Sequence, residues 1–209
     1  MEITAMQNML RIVVVVLLSS LALTLHAGTH DYKLLNAAKA GDMMQVKTLL
    51  ETGDVDVNVI DSFQTSPLMM AVDNRHLAVA EYLLQHGADI QLDNKYGYTP
   101  LMQAVMRNDP KMVNMLLDKG ARIDQKNFYT ELTPLMMAVD NGSLEMVELL
   151  IARKANLNLQ DERGRSALMH ASAARQSKIA ERLLRAGADS TLKDKQGRTA
   201  DDFAQARQQ

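Results

Sequence analysis

Ser66-Pro67-Leu68, Thr99-Pro100-Leu101, Thr133-Pro134-Leu135, Ser166-Ala167-Leu168 and Thr199-Ala200-Asp201 recur at spacings of 33, 34, 33 and 33. A second series keeps step with it: Gly53, Gly87-Ala88-Asp89, Gly120-Ala121-Arg122, Lys154-Ala155-Asn156 and Gly187-Ala188-Asp189, at spacings of 34, 33, 34 and 33. Two series locked to one period describe an array of like structural units, not one globular core. Such arrays offer an extended surface for holding another molecule and seldom a pocket for chemistry.

One copy, residues 61–93, shows why the unit folds. Ser66 is placed to cap a helix, and Pro67 stands at the first helical position, where its missing N–H costs nothing. Leu68, Ala71 and Val72 follow at helical spacing, up to a helix end near Asn74-Arg75. A second helix carries Val79, Tyr82, Leu83 and Leu84 and ends at Gly87, the residue type that takes the left-handed conformation after a helix. Residues 88–98 are polar and turn-forming. Asp109-Pro110 and Gly142-Ser143 open the second helices of later copies in the same way. Each helix has about two or three turns, too few to be stable alone in water. Alanines at matched places (Ala37, Ala71, Ala104, Ala138, Ala171) allow close approach between neighbours, so the units are expected to stack.

These residues resemble the ankyrin repeat. The family pattern T-P-L-H-x-A, followed by a helix ending L-L-x-x-G-A-D, is similar to Thr133–Ala138 with Glu148–Asn156, and to Ser66–Ala71 with Leu83–Asp89. The resemblance covers units at about 32–60, 61–93, 94–126, 127–160 and 161–193, with a terminal cap at 194–209. It implies an all-α solenoid of stacked helix–turn–helix units with projecting β-hairpin turns, and partner binding in the groove beside those turns. The family's histidine is replaced here by Met69, Met102, Met136 and Met169. In the family that histidine ties adjacent loops by hydrogen bonding, so this stitching is expected to be lost to softer packing. The ends depart from the pattern. The first unit lacks the cap–proline start and carries an extra residue in Asp54-Val55-Asp56-Val57-Asn58, and the last half-unit has Asp201 in place of leucine.

Ahead of the array, Ile12–Leu25 is an apolar run of 14 residues, preceded by Arg11 and followed by His26-Ala27-Gly28. A charged start, short apolar middle and small-residue end predict a cleaved signal peptide over 1–27, leaving 28–209 as the repeat domain. The rival is an uncleaved anchor, but a 14-residue helix reaches only about 21 Å against a hydrocarbon core of roughly 30 Å. The expected location is a bacterial periplasm, with secretion or membrane tethering as alternatives. The chain has no cysteine, which excludes a disulfide framework, a thiolate metal site and a cysteine nucleophile. A net charge of −2 gives no reason to expect nucleic acid.

Five of the eight aromatic residues fall in the turns between units: Phe63, Tyr96, Tyr98, Phe128 and Tyr129. Exposed rings give large contact area at low rotamer cost, which suits partner anchors, although rings can also pack on the next turn. Phe128-Tyr129 lies where the unit gains a residue. Later turns become basic, with Arg163 and Arg165, either continuing the partner surface or serving as a solvated face. The ends of the first helices border the same groove with Asp73-Asn74, Arg107 and Asp140-Asn141. The two identical pairs either touch a partner or simply end their helices.

Met69-Met70, Met102, Met136-Met137, Met169 and His170 are residue types that bind soft copper. Methionine at helical spacing is also ordinary core filler, and a repeat spreads equivalent side chains along the array. No metal or other cofactor is expected. The histidines lie apart from any nucleophile motif, the carboxylates are scattered, and no phosphate loop or G-x-S-x-G elbow is present, so no enzyme is expected. The expectation is a monomeric, noncatalytic scaffold for an unidentified protein partner. The alternatives are a small-ligand, metal or haem carrier serving a periplasmic or oxidative-stress enzyme, and a secreted effector.

Overall fold

The structure, a computed structural model, describes residues 31–53 and 55–205. The expected signal peptide with its cut after Ala27, the residue Asp54 and the last four residues lie outside the described residues. Helices come in pairs: α1 (within residues 31–40) with α2 (Met43–Glu51), α3 (Pro67–Asp73) with α4 (Leu77–Gln85), α5 (Pro100–Met106) with α6 (Pro110–Asp118), α7 (Pro134–Asp140) with α8 (Leu144–Ala152), and α9 (Ala167–Ala173) with α10 (Ser177–Arg185). An eleventh helix, α11 (Ala200–Gln205), follows and packs on α9.

Capping sets the helix starts. The side-chain oxygens of Ser66, Thr99, Thr133 and Ser166 accept from the backbone N–H three residues on, at Met69, Met102, Met136 and Met169. Asp109 and Ser143 do the same for α6 and α8. At α11, Thr199 and Asp202 cap reciprocally, and the Asp202 carboxylate accepts from Thr199 N at 2.7 Å. The left-handed residue after each second helix is Gly87, Gly120 and Gly187, at φ 89°, 93° and 95°, but Lys154 takes the place at φ 69°. A side chain in that conformation costs roughly 1–2 kcal/mol. Replacing exposed Lys154 with glycine is therefore expected to stabilise the chain by about 1 kcal/mol in urea unfolding.

The first helices form one layer, in which α3 packs on α5, α5 on α7, α7 on α9 and α9 on α11. Second helices cover it. Ala71, Ala104, Ala138 and Ala171 have no more than traces of exposure, as does the leucine column Leu83, Leu116, Leu150 and Leu183. Met69, Met102, Met136 and Met169 are buried with them.

The turns between units bear on two expectations. Among the described residues they form no strand ladder, only an isolated antiparallel bridge between Gln160 and Ser166. A recurring Asp or Asn explains why. Asp61 Oδ1 accepts from Phe63 N and Thr65 N at 2.8 Å each, and Asn94, Asp161 and Asp194 repeat this pattern at their own turns. The side chain takes the N–H groups that a ladder would use. Adjacent turns also remain tied despite the methionines. Lys95 N donates to Phe63 O at 3.0 Å, Glu162 N to Thr130 O at 3.1 Å and Lys195 N to Arg163 O at 2.9 Å. At the third turn the Asn127 side-chain amide donates to Tyr96 O at 2.6 Å. The stitching is carried by the turns themselves, so loss of a donor on the helix does not undo it.

Candidate functional site: the turn edge and its groove

An Asp or Asn side chain holds the base of the turns at Asp61, Asn94, Asn127, Asp161 and Asp194. Four of the five turn aromatics stay exposed: Phe63 by 47%, Tyr96 by 50%, Phe128 by 57% and Tyr129 by 59%. They are joined across three successive turns. Lys95 Nζ lies 3.6 Å from the Phe63 ring centre and 5.1 Å from that of Tyr96. Phe128 and Tyr129 pack ring to ring, with centres 4.1 Å apart and planes tilted by 38°. Gly97 links the two pairs. A Cβ there would come within 2.5 Å of Phe128 Cδ1, so only glycine lets that ring lie against the preceding turn. The third turn is longer, closing from Asn127 N to Leu132 O, where the first closes from Asp61 N to Thr65 O.

Tyr98 belongs elsewhere. It is half-buried against the core and, with Asp73, Gln103, Met106 and Arg107, lines a cavity of about 180 Å3 between α3, α5 and the second turn. Asp73 and Arg107 form a two-point ion pair, at 2.7 and 2.9 Å. The pair holds the Arg107 guanidinium above its ordinary value, chiefly through the hydrogen bond from Arg107 to Asp73 and then through the charge of Asp73.

The identical Asp-Asn pairs make different contacts. Asn74 donates to Met70 O and so closes its own helix. Asn141 donates across to Val105 O of the previous unit. Asp140 lies 2.8 Å from His170 Nδ1, and the same ring's Nε2 lies 3.1 Å from Asp161 Oδ2. Two carboxylates 21 positions apart in the chain thus meet around one half-buried imidazole, and both of its nitrogens are engaged. The copper candidates are dispersed in the stack. Among the described residues no three His, Cys, Asp or Glu side chains gather to hold a metal ion.

The basic continuation is partly turned inward. The Arg165 and Arg198 guanidinium carbons lie 4.9 and 4.4 Å from the Phe203 ring centre, so both cations pack against α11. Arg198 also binds Asp194. Arg163 stays exposed near Glu162, at 3.8 Å. Gln103 and the Asp/Asn series at the turns were missed in the sequence reading. Asp61, Asn94, Asn127, Asp161 and Asp194 recur at spacings of 33, 33, 34 and 33, so their signal was available.

Paired short helices, capped alike and joined by tied turns over the whole described length, define an ankyrin-type solenoid. The family model for ankyrin repeats matches residues 34–127 and 126–194, and the chain belongs to that family. It is 30% identical over 192 residues to the mouse B-cell lymphoma 3 protein homolog, covering 92% of this chain and 36% of that protein. It is 33% identical over 166 residues to the nematode (Caenorhabditis elegans) ankyrin repeat and KH domain-containing protein mask-1, covering 79% of this chain and 6% of that one. A shorter match, 44% over 72 residues, is to the rat ankyrin repeat and SAM domain-containing protein 6, covering 34% of this chain and 8% of that protein. The chain therefore spans little more than a third of the length of these relatives at most. Ankyrin repeats generally mediate protein–protein interaction and are typically non-enzymatic. No helix among the described residues is long and apolar enough to cross a membrane.

Proposed function

We propose that this chain is a noncatalytic interaction module that takes a partner protein along the turn edge and the groove beside it. The observation that carries this reading is the continuous band of four exposed rings over three turns. Solvent-exposed aromatics joined into one patch are costly unless something covers them, and rigid rings are the usual energetic centres of protein interfaces. Phe63, Tyr96, Phe128 and Tyr129 supply the band, Tyr98 the wall of the groove, and Asp73 with Arg107 its rim. Arg163 extends the edge with positive charge. Asn74, Asp140, Asn141 and Arg165 are engaged within the array and serve the surface by holding its shape. The apolar run at 12–25 supports an exported compartment, which N-terminal sequencing of the mature chain and cell fractionation would test.

The test of the surface is the quadruple replacement of Tyr96, Tyr98, Phe128 and Tyr129 with alanine. Far-UV circular dichroism should be unchanged, because three of the four rings stand outside the core and Tyr98 lies only at its edge. Affinity for a partner captured from the exported fraction should fall about tenfold or more. Unchanged affinity would remove the assignment.

A further inference from the structure

Met70, Gln103, Met137 and His170 occupy one lattice position in successive units, spaced by 33, 34 and 33. Two are apolar. His170 is polar and spends both ring nitrogens on Asp140 and Asp161. Gln103 is polar and is not satisfied in this way, since its carbonyl Oε1 is buried with no hydrogen-bond partner. A residue one turn further on accounts for the difference. Arg107 follows α5 where Ala174 follows α9, and Arg107 binds Asp73, the counterpart of Asp140. Gln103 is left beside the 180 Å3 cavity walled by Tyr98 and Met106. A buried acceptor without a partner is expensive, and native structures usually tolerate one where something else completes it.

We propose that this cavity receives a single aromatic side chain carrying a hydrogen-bond donor, tyrosine or tryptophan, from the partner protein. The assignment rests on the reading of this face as the interaction surface and names the anchor that surface accepts. The volume is well below the roughly 300 Å3 at which pockets for drug-sized molecules begin, and suits one side chain. Tyr98 offers a ring face and Met106 a polarisable thioether, both favourable neighbours for an aromatic body. Asp73 and Arg107 neutralise each other, so the rim does not select a charged anchor. The terminal torsion of a glutamine is soft, which lets the Gln103 amide turn its carbonyl to an entering O–H or N–H. Phenylalanine or leucine would fill the space and leave the acceptor unpaired.

The test pans a displayed library of random peptides against the full chain and measures the selected peptides on wild type and on Gln103→Met, which copies the residue at Met70 and Met137. Gln103→Met should fold with an unfolding midpoint equal to or above that of wild type, since it removes an unpaired buried acceptor. Selected peptides should share one tyrosine or tryptophan. Changing that residue to phenylalanine should weaken binding to wild type about tenfold and leave binding to Gln103→Met unaltered, the signature of a direct pair. Peptides that bind Gln103→Met as well as wild type, yet are lost on the Phe128 and Tyr129 replacements, would overturn the pocket and leave the interaction surface standing. Selected peptides indifferent to every one of these replacements would overturn both.

Discussion

Leu116→Ala is expected to lower the stability of the chain by about 3 kcal/mol, enough to split its unfolding into separate steps. Leu116 lies on α6 with no measurable exposure, in line with Leu83, Leu150 and Leu183. Each unit touches only its neighbours, so stability is a sum of unit terms and interface terms. Truncating a central leucine opens a cavity inside one unit and weakens the two interfaces that unit serves. Leu184→Ala is the control: Leu184 is 48% exposed on α10. Its loss should change stability by no more than about 0.5 kcal/mol. Urea unfolding followed by circular dichroism distinguishes the two. Equal midpoints would mean that the leucine columns do not hold the array.

His170 makes the stability of the fifth unit depend on pH. Burial disfavours the imidazolium, but hydrogen bonds and charge from Asp140 and then Asp161 outweigh it, and the pKa lies above the ordinary 6.5. The folded chain therefore binds the proton more tightly than the unfolded chain. The resulting stabilisation is fully present below about pH 6.5 and is lost as pH rises through the folded value. His170→Gln, which places the third unit's residue here, should abolish this dependence. Its destabilisation relative to wild type should be larger at pH 5.5 than at pH 8.5, read from thermal midpoints in matched buffers. A gap of equal size at both values would show that the ring is held neutral. His170→Leu should cost about 2 kcal/mol at pH 8.5, because Asp161 is buried and loses the partner of its second oxygen, and more at pH 5.5, where the proton-linked stabilisation is lost as well.

The array itself was legible because its determinants are local. A cap, a proline or alanine at the first helical position, a buried alanine and a left-handed glycine act within a few residues, and a period of 33 repeats them until chance is excluded. Even the lengthened third turn, at Phe128-Tyr129, follows from counting residues. The stitching expected to go with the family's histidine is carried instead by backbone bonds from turn to turn. The Asp or Asn at the base of each turn recurs with the same period, and its short side chain accepts the N–H groups of its own turn. The equal treatment of Asp73-Asn74 and Asp140-Asn141 failed because a repeated dipeptide does not have a repeated neighbour.

The sequence by itself determined the unit, its core columns and the presence of aromatics in the turns, since all of these depend on residues that repeat with the period. Only the tertiary structure decided which groups from different units meet. Arg107 reaches back to Asp73, while Ala174, at the same position two units on, leaves Asp140 to His170. Phe128 lies on Gly97, Lys95 sits over Phe63, and Tyr98 turns from the aromatic band into the groove beside an unpaired Gln103. The pairings of Arg107 with Asp73, His170 with Asp140, Phe128 with Gly97 and Lys95 with Phe63 join residues roughly one repeat apart, where no local rule operates. The stacking distance and rotation between units select them. The repeat builds the surface, and departures from it give that surface its chemistry.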